Sequence, residues 1–502
     1  MVAIKQPVPA PRAVRSPFLI GGLLAVAVAV ILAALAISAT LADDQIRWSA
    51  MALAAFCCGL LMLASVAAGQ DRLGLADWRI GPWSLVWGAF AFGLATISWI
   101  GPQAGPPAEI LPASVRSALV MIGVALASLT TGYCAGPHRL AVVHARRATD
   151  GMARRFTDEI RSPAVPWVLL AVGLVSQLGF ATLTGRLGYV GEVAASVTTA
   201  SGYSQYLAVA GQCVPLALMA AAIRAYRTMT LGAWLTTLVI FATTIAAGAI
   251  AGGKQSFVVA ILAVIIPHSI VRRRLPIAAI VVAVIIFLLV IIPFNQAYRA
   301  SARGKVTLST GQAIATAPAI AHQVVASDLS LSVLGESAGY LARRVRTIDS
   351  PAIIMQRTPS QVAYANPAQL LISPVVGLIP RILWPGKPIL APGYQVSQEY
   401  YQLPPQLYTA SDVTPEGDLY RHGGWLPLIV GMVLLGCLIR IIDEVTDLRR
   451  SAHGAFLILL LFPDTVQAGS DCASLLAGIP GMILLWLCVV RLSFARRGPQ
   501  AS

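Results

Sequence analysis

Apolar residues in this chain come in long unbroken runs rather than in alternating stripes. Twelve such runs lie at about 18–42, 48–68, 82–100, 115–135, 164–184, 204–223, 231–250, 256–271, 276–294, 425–441, 454–469 and 473–490. A bilayer core of about 30 Å needs roughly 20 apolar residues per helix. The pattern therefore predicts an all-α, polytopic membrane protein of about 12 transmembrane helices. Pro463, Asp464 and Asp471 interrupt the last two runs, and a re-entrant hairpin is the alternative there. The first run is too long for a signal h-region and has no small-residue cleavage site, so it is expected to stay as a membrane helix.

The polar positions between the runs fix an orientation. With the N-terminus inside, the inner segments carry Arg79, the arginines from Arg139 to Arg161, Arg224, Arg227, Arg272 to Arg274, Arg440, Arg449, Arg450 and the tail arginines. The short outer segments carry only Arg47, Arg116, Arg186 and Lys254. This is the positive-inside bias, and it predicts cytoplasmic N and C termini. It also leaves one large extracytoplasmic loop between helices 9 and 10. The organisation expected is 1–294 as a nine-helix membrane portion, 295–424 as the catalytic or substrate loop, and 425–502 as the C-terminal helices and tail.

Within that loop, Ala313 to Arg346 reads as one partly amphipathic surface helix ending on Arg343, Arg344 and Arg346. Ser350-Pro351 and Thr358-Pro359 break it. Gln369 to Ile379 is apolar but too short to span. Then comes PRILWPGKP (Pro380–Pro388), a stiff cationic and aromatic stretch, and finally TPEGDLYRHGGWLPL at the mouth of the tenth helix.

Composition sharpens the class. The chain is 57% hydrophobic and only 11% charged, with a mean hydropathy of +0.75, whereas soluble chains carry about 25% charged residues. The net charge of +15 sits between apolar runs, where orientation requires it, so nucleic acid is not an expected partner. The seven cysteines fall in or beside apolar runs without metal or disulfide spacing and read as small packing residues. No P-loop, GxSxG, HExxH or CxxC motif is present. Neither cofactor nor metal is expected.

Cations gathered outside a bilayer suit an anionic substrate held at its surface. The candidates for binding are Lys254, Arg299, Arg303, Arg344, Arg381 and Lys387. Arginine binds phosphate oxygens bidentately, and lysine adds a point charge. Trp384 offers an interfacial anchor or a sugar platform. Asp418 or His422 is a candidate to take a proton from an acceptor hydroxyl. Glu416 reads as an exposed loop acid and His422 alternatively as a helix-start residue. Asp43-Asp44, where many GT-C glycosyltransferases keep a catalytic acid, reads here as a solvated turn because the first outer loop is short.

The stretch ARRVRTIDSPAIIMQRTPSQVAYANPAQLLISPVVGLIPRILWPGKP resembles the outer loop of Wzy-type oligosaccharide repeat-unit polymerases, the O-antigen polymerase group. The resemblance rests on Ile379, Pro380, Arg381, Trp384, Pro385, Lys387 and Pro388. It extends to EGDLYRHGGWLPLIVGMVLLG, where Asp418 stands for the usual glutamate and Tyr420 matches. It covers about 340–436, near a fifth of the chain. Two features depart from the family: Lys254 replaces an arginine, and the loop at about 185–203 holds only Arg186 and Glu192. The resemblance implies a GT-C-like, metal-independent glycosyltransferase in the bacterial plasma (inner) membrane. Its substrate would be a polyprenyl-diphosphate-linked oligosaccharide, polymerised into a surface or exopolysaccharide among membrane lipids. Its partners would be a chain-length regulator and a flippase. Arg299, Arg381 and Lys387 would hold the diphosphate, and Asp418 or His422 would orient or deprotonate the acceptor. The related O-antigen ligase reaction and transport of lipid-linked glycan are the alternatives.

Overall fold

The computed structural model describes residues 15–67, 73–99, 110–136, 138–184, 204–251, 253–301, 310–326, 331–379, 383–388, 392–404, 410–466 and 471–497. Helices occupy every one of the twelve apolar runs. Helix α1 (Arg15–Ser38) is followed by α2 (Ala42–Ala67) and α3 (Ile80–Gly88), which continues through a π turn and a 3-10 turn to Ser98. Next come α4 (Pro112–Ala135), the amphipathic α5 (Arg139–Arg155) and strand β1 (Phe156–Ile160). Helix α6 (Val165–Thr184) precedes α7 (Ser204–Gly211), α8 (Cys213–Thr228), α9 (Leu231–Ala251) and α10 (Lys254–Arg272). Helices α11 (Ile277–Ile286) and α12 (Ile292–Ser301) form one continuous rod through a π turn at Phe287–Ile291. Among the described residues ten helical stretches are long and apolar enough to cross a membrane; Val165–Ala181 and Gly454–Val466 are shorter apolar helices. The chain is an all-α, multi-pass membrane protein.

The segment expected as a loop is itself helical and packed on the bundle. It contains α13 (Thr310–Ala326), α14 (Leu331–Val345), α15 (Asp349–Arg357), α16 (Ala368–Leu378), α17 (Pro392–Glu399) and α18 (Pro415–Arg421). The surface helix expected over Ala313–Arg346 is described as α13 and α14, and 327–330 lie outside the described residues. Arg346 is not a surface cation: it is buried and ion-paired to Asp349 at 2.9 Å. The chain closes with α19 (Trp425–Val445), α20 (Gly454–Val466), α21 (Cys472–Ser493) and β2 (Phe494–Arg496). β2 pairs antiparallel with β1, a small ribbon that the apolar pattern does not signal. Asp43 and Asp44 lie in the first turn of α2, where acids complement the helix dipole.

The core lies where α2, α3, α4, α8, α19, α20 and α21 meet. Glycine sets its closest crossing. A Cβ on Gly436 of α19 would sit 2.1 Å from the Leu129 carbonyl of α4, and one on Gly132 of α4 would sit 2.0 Å from the Val433 carbonyl. With no hydrophobic driving force between helices in lipid, such close backbone approach supplies the packing attraction. The short α16 uses the same device, since Gly377 lies against the Ala477 backbone of α21. The outer faces of α1, α9 and α11 carry exposed Leu24, Ile37, Leu238 and Val282, as lipid contact requires.

Helix α19 runs for 21 residues, about 31 Å, and its two ends define two faces of the molecule. Segments expected inside gather at the Asp443 end. Arg450 pairs with Asp150, and Arg227 with Asp158. Arg273 donates to the Leu448 carbonyl, and the Arg497 amide to the Arg155 carbonyl. Segments expected outside gather at the other end. Trp99 Nε1 donates to Asp349 at 3.1 Å, the Leu111 amide to Gln356 at 2.9 Å, and Arg116 bonds Gln45.

Candidate functional site

Local sequence explains why α18 forms just before α19. Thr414 caps it by accepting from the Gly417 amide at 3.2 Å, Pro415 opens the first turn, and Glu416 and Asp418 lie at its positive end. Arg421 closes the last turn and His422 is the C-cap, not the start of a helix. Gly423 (φ +137°) and Gly424 (φ +79°) then turn the chain into α19 through conformations that glycine alone adopts without strain. All of Pro415–Arg421 is buried. Glu416 is therefore not the exposed loop acid expected.

Asp418 is 0% exposed and fully engaged. Its Oδ1 accepts from Arg421 Nη2 at 2.9 Å, and its Oδ2 accepts from the Ala473 amide at 3.3 Å. The second contact seats the carboxylate on the N-terminus of α21, which favours negative charge. Asp471 caps the same helix by accepting from the Ser474 amide at 2.7 Å. Burial, and then the like charge of Asp418, push the Asp471 carboxyl up from its ordinary value.

His422 packs on this acid. Its Nδ1 lies 2.7 Å from the Asp418 carbonyl and 3.5 Å from Asp418 Oδ1. A carbonyl only accepts, so Nδ1 carries the proton and the lone pair of the neutral ring is on Nε2. Among the described residues Nε2 is buried without a hydrogen-bond partner. A tethered imidazole with an available Nε2 is the arrangement a general base needs. Tyr420 makes an edge contact with Trp425, ring centroids 5.9 Å apart.

A second group forms at the start of α10. Lys254 Nζ donates to the Tyr340 hydroxyl of α14 at 3.1 Å and stands 4.4 Å from that ring's centroid. The positive charges of Arg299 and Arg344 bear on the same Tyr340 hydroxyl, which the Lys254 contact draws below its ordinary range against the opposing effect of burial. Three of the six cations singled out in the sequence thus converge, from α10, α12 and α14. A neighbour of each group in the sequence reaches α20 or the cavity it borders. Asp464 there accepts from Gln255 Nε2 at 3.2 Å, next to Lys254. Thr465 and Val466 border the cavity into which Glu416 faces.

The other predicted residues lie elsewhere. Lys387 is buried and donates to Gln205 Oε1 and the Ile379 carbonyl, each at 2.9 Å, tying its turn to α16 and α7. Trp384 is half-buried, and its carbonyl accepts from the Lys387 amide at 3.0 Å. Arg303 and Arg381 lie outside the described residues, as does Arg186.

Sequence reading missed a buried ionic cluster at the far end of α19. Asp443 accepts from the Ile80 and Gly81 amides at 2.7 and 3.1 Å and from the Tyr133 hydroxyl at 2.9 Å, so it caps α3 from another helix. Glu444 binds Arg146 at 2.7 Å, Arg440 at 2.9 Å and Arg79 at 3.4 Å. In the sequence those arginines carry only the orientation bias. The missed sign was the acid spacing in IIDEVTD, which no solvated helix end requires.

A family model described as Domain of unknown function (DUF8712) matches residues 182–447, just over half of the chain. The matched span takes in both the Lys254 group and α18. No curated protein and no solved structure matches the chain.

Proposed function

The chain belongs to the family described as Domain of unknown function (DUF8712), and within it we propose a polymerase of polyprenyl-diphosphate-linked oligosaccharide repeat units. In this reading twelve helices span a bacterial plasma membrane, both termini are cytoplasmic, and the Asp418 end of α19 faces outward. The observation that carries it is the Lys254–Tyr340 contact under the added charge of Arg299 and Arg344, in a chain that also buries an Asp418–His422 pair at the mouth of α19.

Each part has a chemical task. The three cations neutralise a diphosphate and stabilise the charge that builds on it as it leaves. An acceptor hydroxyl attacks the anomeric carbon of the donor sugar. The bond from that carbon to the diphosphate oxygen breaks, and the electron pair leaves with the polyprenyl diphosphate. His422 Nε2 takes the hydroxyl proton, while Asp418 positions the ring. The ring is buried, so the acceptor must displace covering groups to reach it. The energy is in the donor linkage, and no nucleotide is consumed.

Membranes supplied with lipid-linked repeat are expected to yield a ladder of chain lengths. His422→Asn and the double change Lys254→Ala/Arg344→Ala should each shorten the ladder by at least about tenfold in product, at matched expression and thermal stability. Retention of the full ladder by both would overturn the reading, and one capped product would favour a ligase. Glu416 supports a second reading, as a proton-linked transporter. Its carboxyl is buried beside a cavity, and burial raises it above its ordinary value. Movement of intact lipid-linked sugar across vesicles without lengthening would favour that reading.

A further inference from the structure

At the opposite end from this site, three arginines from two parts of the chain line one cleft. Arg161 follows β1, Arg491 lies in the last turn of α21 and Arg496 lies on β2. With Phe494 and Ala495 they line an open concavity of about 520 Å³. No acid lines it, although Glu159 stands exposed on the adjoining strand. The ribbon holds the arginines in register, since the Arg161 amide donates to the Ser493 carbonyl at 2.7 Å and the Arg497 amide to the Arg155 carbonyl at 3.0 Å. All three side chains are exposed, and none is in an ion pair among the described residues.

Orientation bias accounts for arginines near helix ends, but not for three converging on one concave surface with a fixed backbone. Guanidinium groups around a cleft match the oxygens of a phosphate. Position narrows the source. The cleft lies where α21 ends and α6 begins, and both helices turn apolar side chains outward directly beyond it. Leu492 is 59% exposed, Val168 57% and Trp167 43%. A ligand seated here would have its phosphate among the arginines and its hydrocarbon along those faces.

We propose that this cleft binds the phosphate of an anionic lipid headgroup, in the leaflet at the Asp443 end of the bundle. The site is distinct from the Lys254 group and does not depend on the polymerase reading.

The test uses the full chain purified in a neutral detergent, with short-chain phosphatidylglycerol and phosphatidylcholine as probes. Native mass spectrometry and a thermal-shift titration would read binding at low and high salt. Phosphatidylglycerol should bind with salt-dependent affinity and phosphatidylcholine at least about tenfold more weakly. The triple change Arg161→Gln/Arg491→Gln/Arg496→Gln should remove that preference. Arg272→Gln/Arg274→Gln, exposed at the same end but outside the cleft, should keep it. Equal loss in both variants would mean diffuse charge and would overturn the proposal. So would an unchanged triple variant, or inorganic phosphate binding as tightly as the lipid. If the triple variant fails to fold, Arg496→Gln alone must still weaken binding by several-fold.

Discussion

At Glu416 the protein buries a carboxyl whose Oε2 has no hydrogen-bond partner among the described residues. The cavity beside it holds about 20 Å³, lined by Trp87, Leu126, Met432 and Thr465 among others. That is room for about one water molecule. Desolvation raises the Glu416 carboxyl above its ordinary value, against hydrogen bonds that oppose it. The neutral form is therefore the one that folding favours. The stabilising contribution is complete below the unfolded carboxyl value of about 4.3 and is lost as pH rises towards the folded value. One proton of this kind gives a slope of about 1.4 kcal/mol per pH unit. Glu416→Gln, permanently neutral, should remove that slope. Melting temperatures in detergent from pH 4 to pH 8 should converge for the two proteins at low pH, with the variant higher at neutral pH. Parallel curves would show that Glu416 does not titrate in that window. Sequence alone could not have shown this. The PEGD run shows acids, and burial depends on α15, α19 and α21 closing over them.

Elements were more legible than residues, because their signal is long and redundant. Each apolar run became a helix, while the ends moved where polar residues extend a helix past its apolar stretch, as Asp43 and Asp44 do for α2. Packing partners were less legible: over Ala313–Arg346 the composition reads as helix throughout, and only tertiary contacts show that α13 sits on α9 and α12. Glycines within apolar runs carried information that periodicity ignores. The α4–α19 crossing can be tested on Gly436. Gly436→Val drives a side chain into the Leu129 carbonyl and should cost about 3 kcal/mol or more, beyond the usual range for overpacking. Gly478→Ala is the control. No atom lies within 4 Å of its added Cβ, and it should be neutral or slightly stabilising. Thermal unfolding in detergent separates the two; equal melting temperatures would mean that α4 and α19 do not cross through these glycines.

Charge on the whole molecule is distributed so that the two ends of α19 do different work. At the Asp443 end arginines are paired with acids, as in the Glu444 cluster, or enclose the cleft at Arg161, Arg491 and Arg496. At the Asp418 end Lys254 faces a phenol rather than an acid, with Arg299 and Arg344 acting on the same group. Buried pairs at the first end hold helices together, since removing one partner typically costs 3–5 kcal/mol. A lysine bonded to a phenol is not neutralised as it would be by a carboxylate. The orientation expected from the positive-inside bias would put the first end in the cytoplasm and the Lys254 group and α14 outside. Exposed positions test this directly. Glu336→Cys on α14 should react with a membrane-impermeant maleimide added to intact cells. Arg147→Cys on α5 should react only after the membrane is opened. Both positions are exposed on the folded chain, so the difference reads orientation rather than burial. The reverse pattern would place the α14 cations in the cytoplasm, where no polymerisation at the outer face could use them.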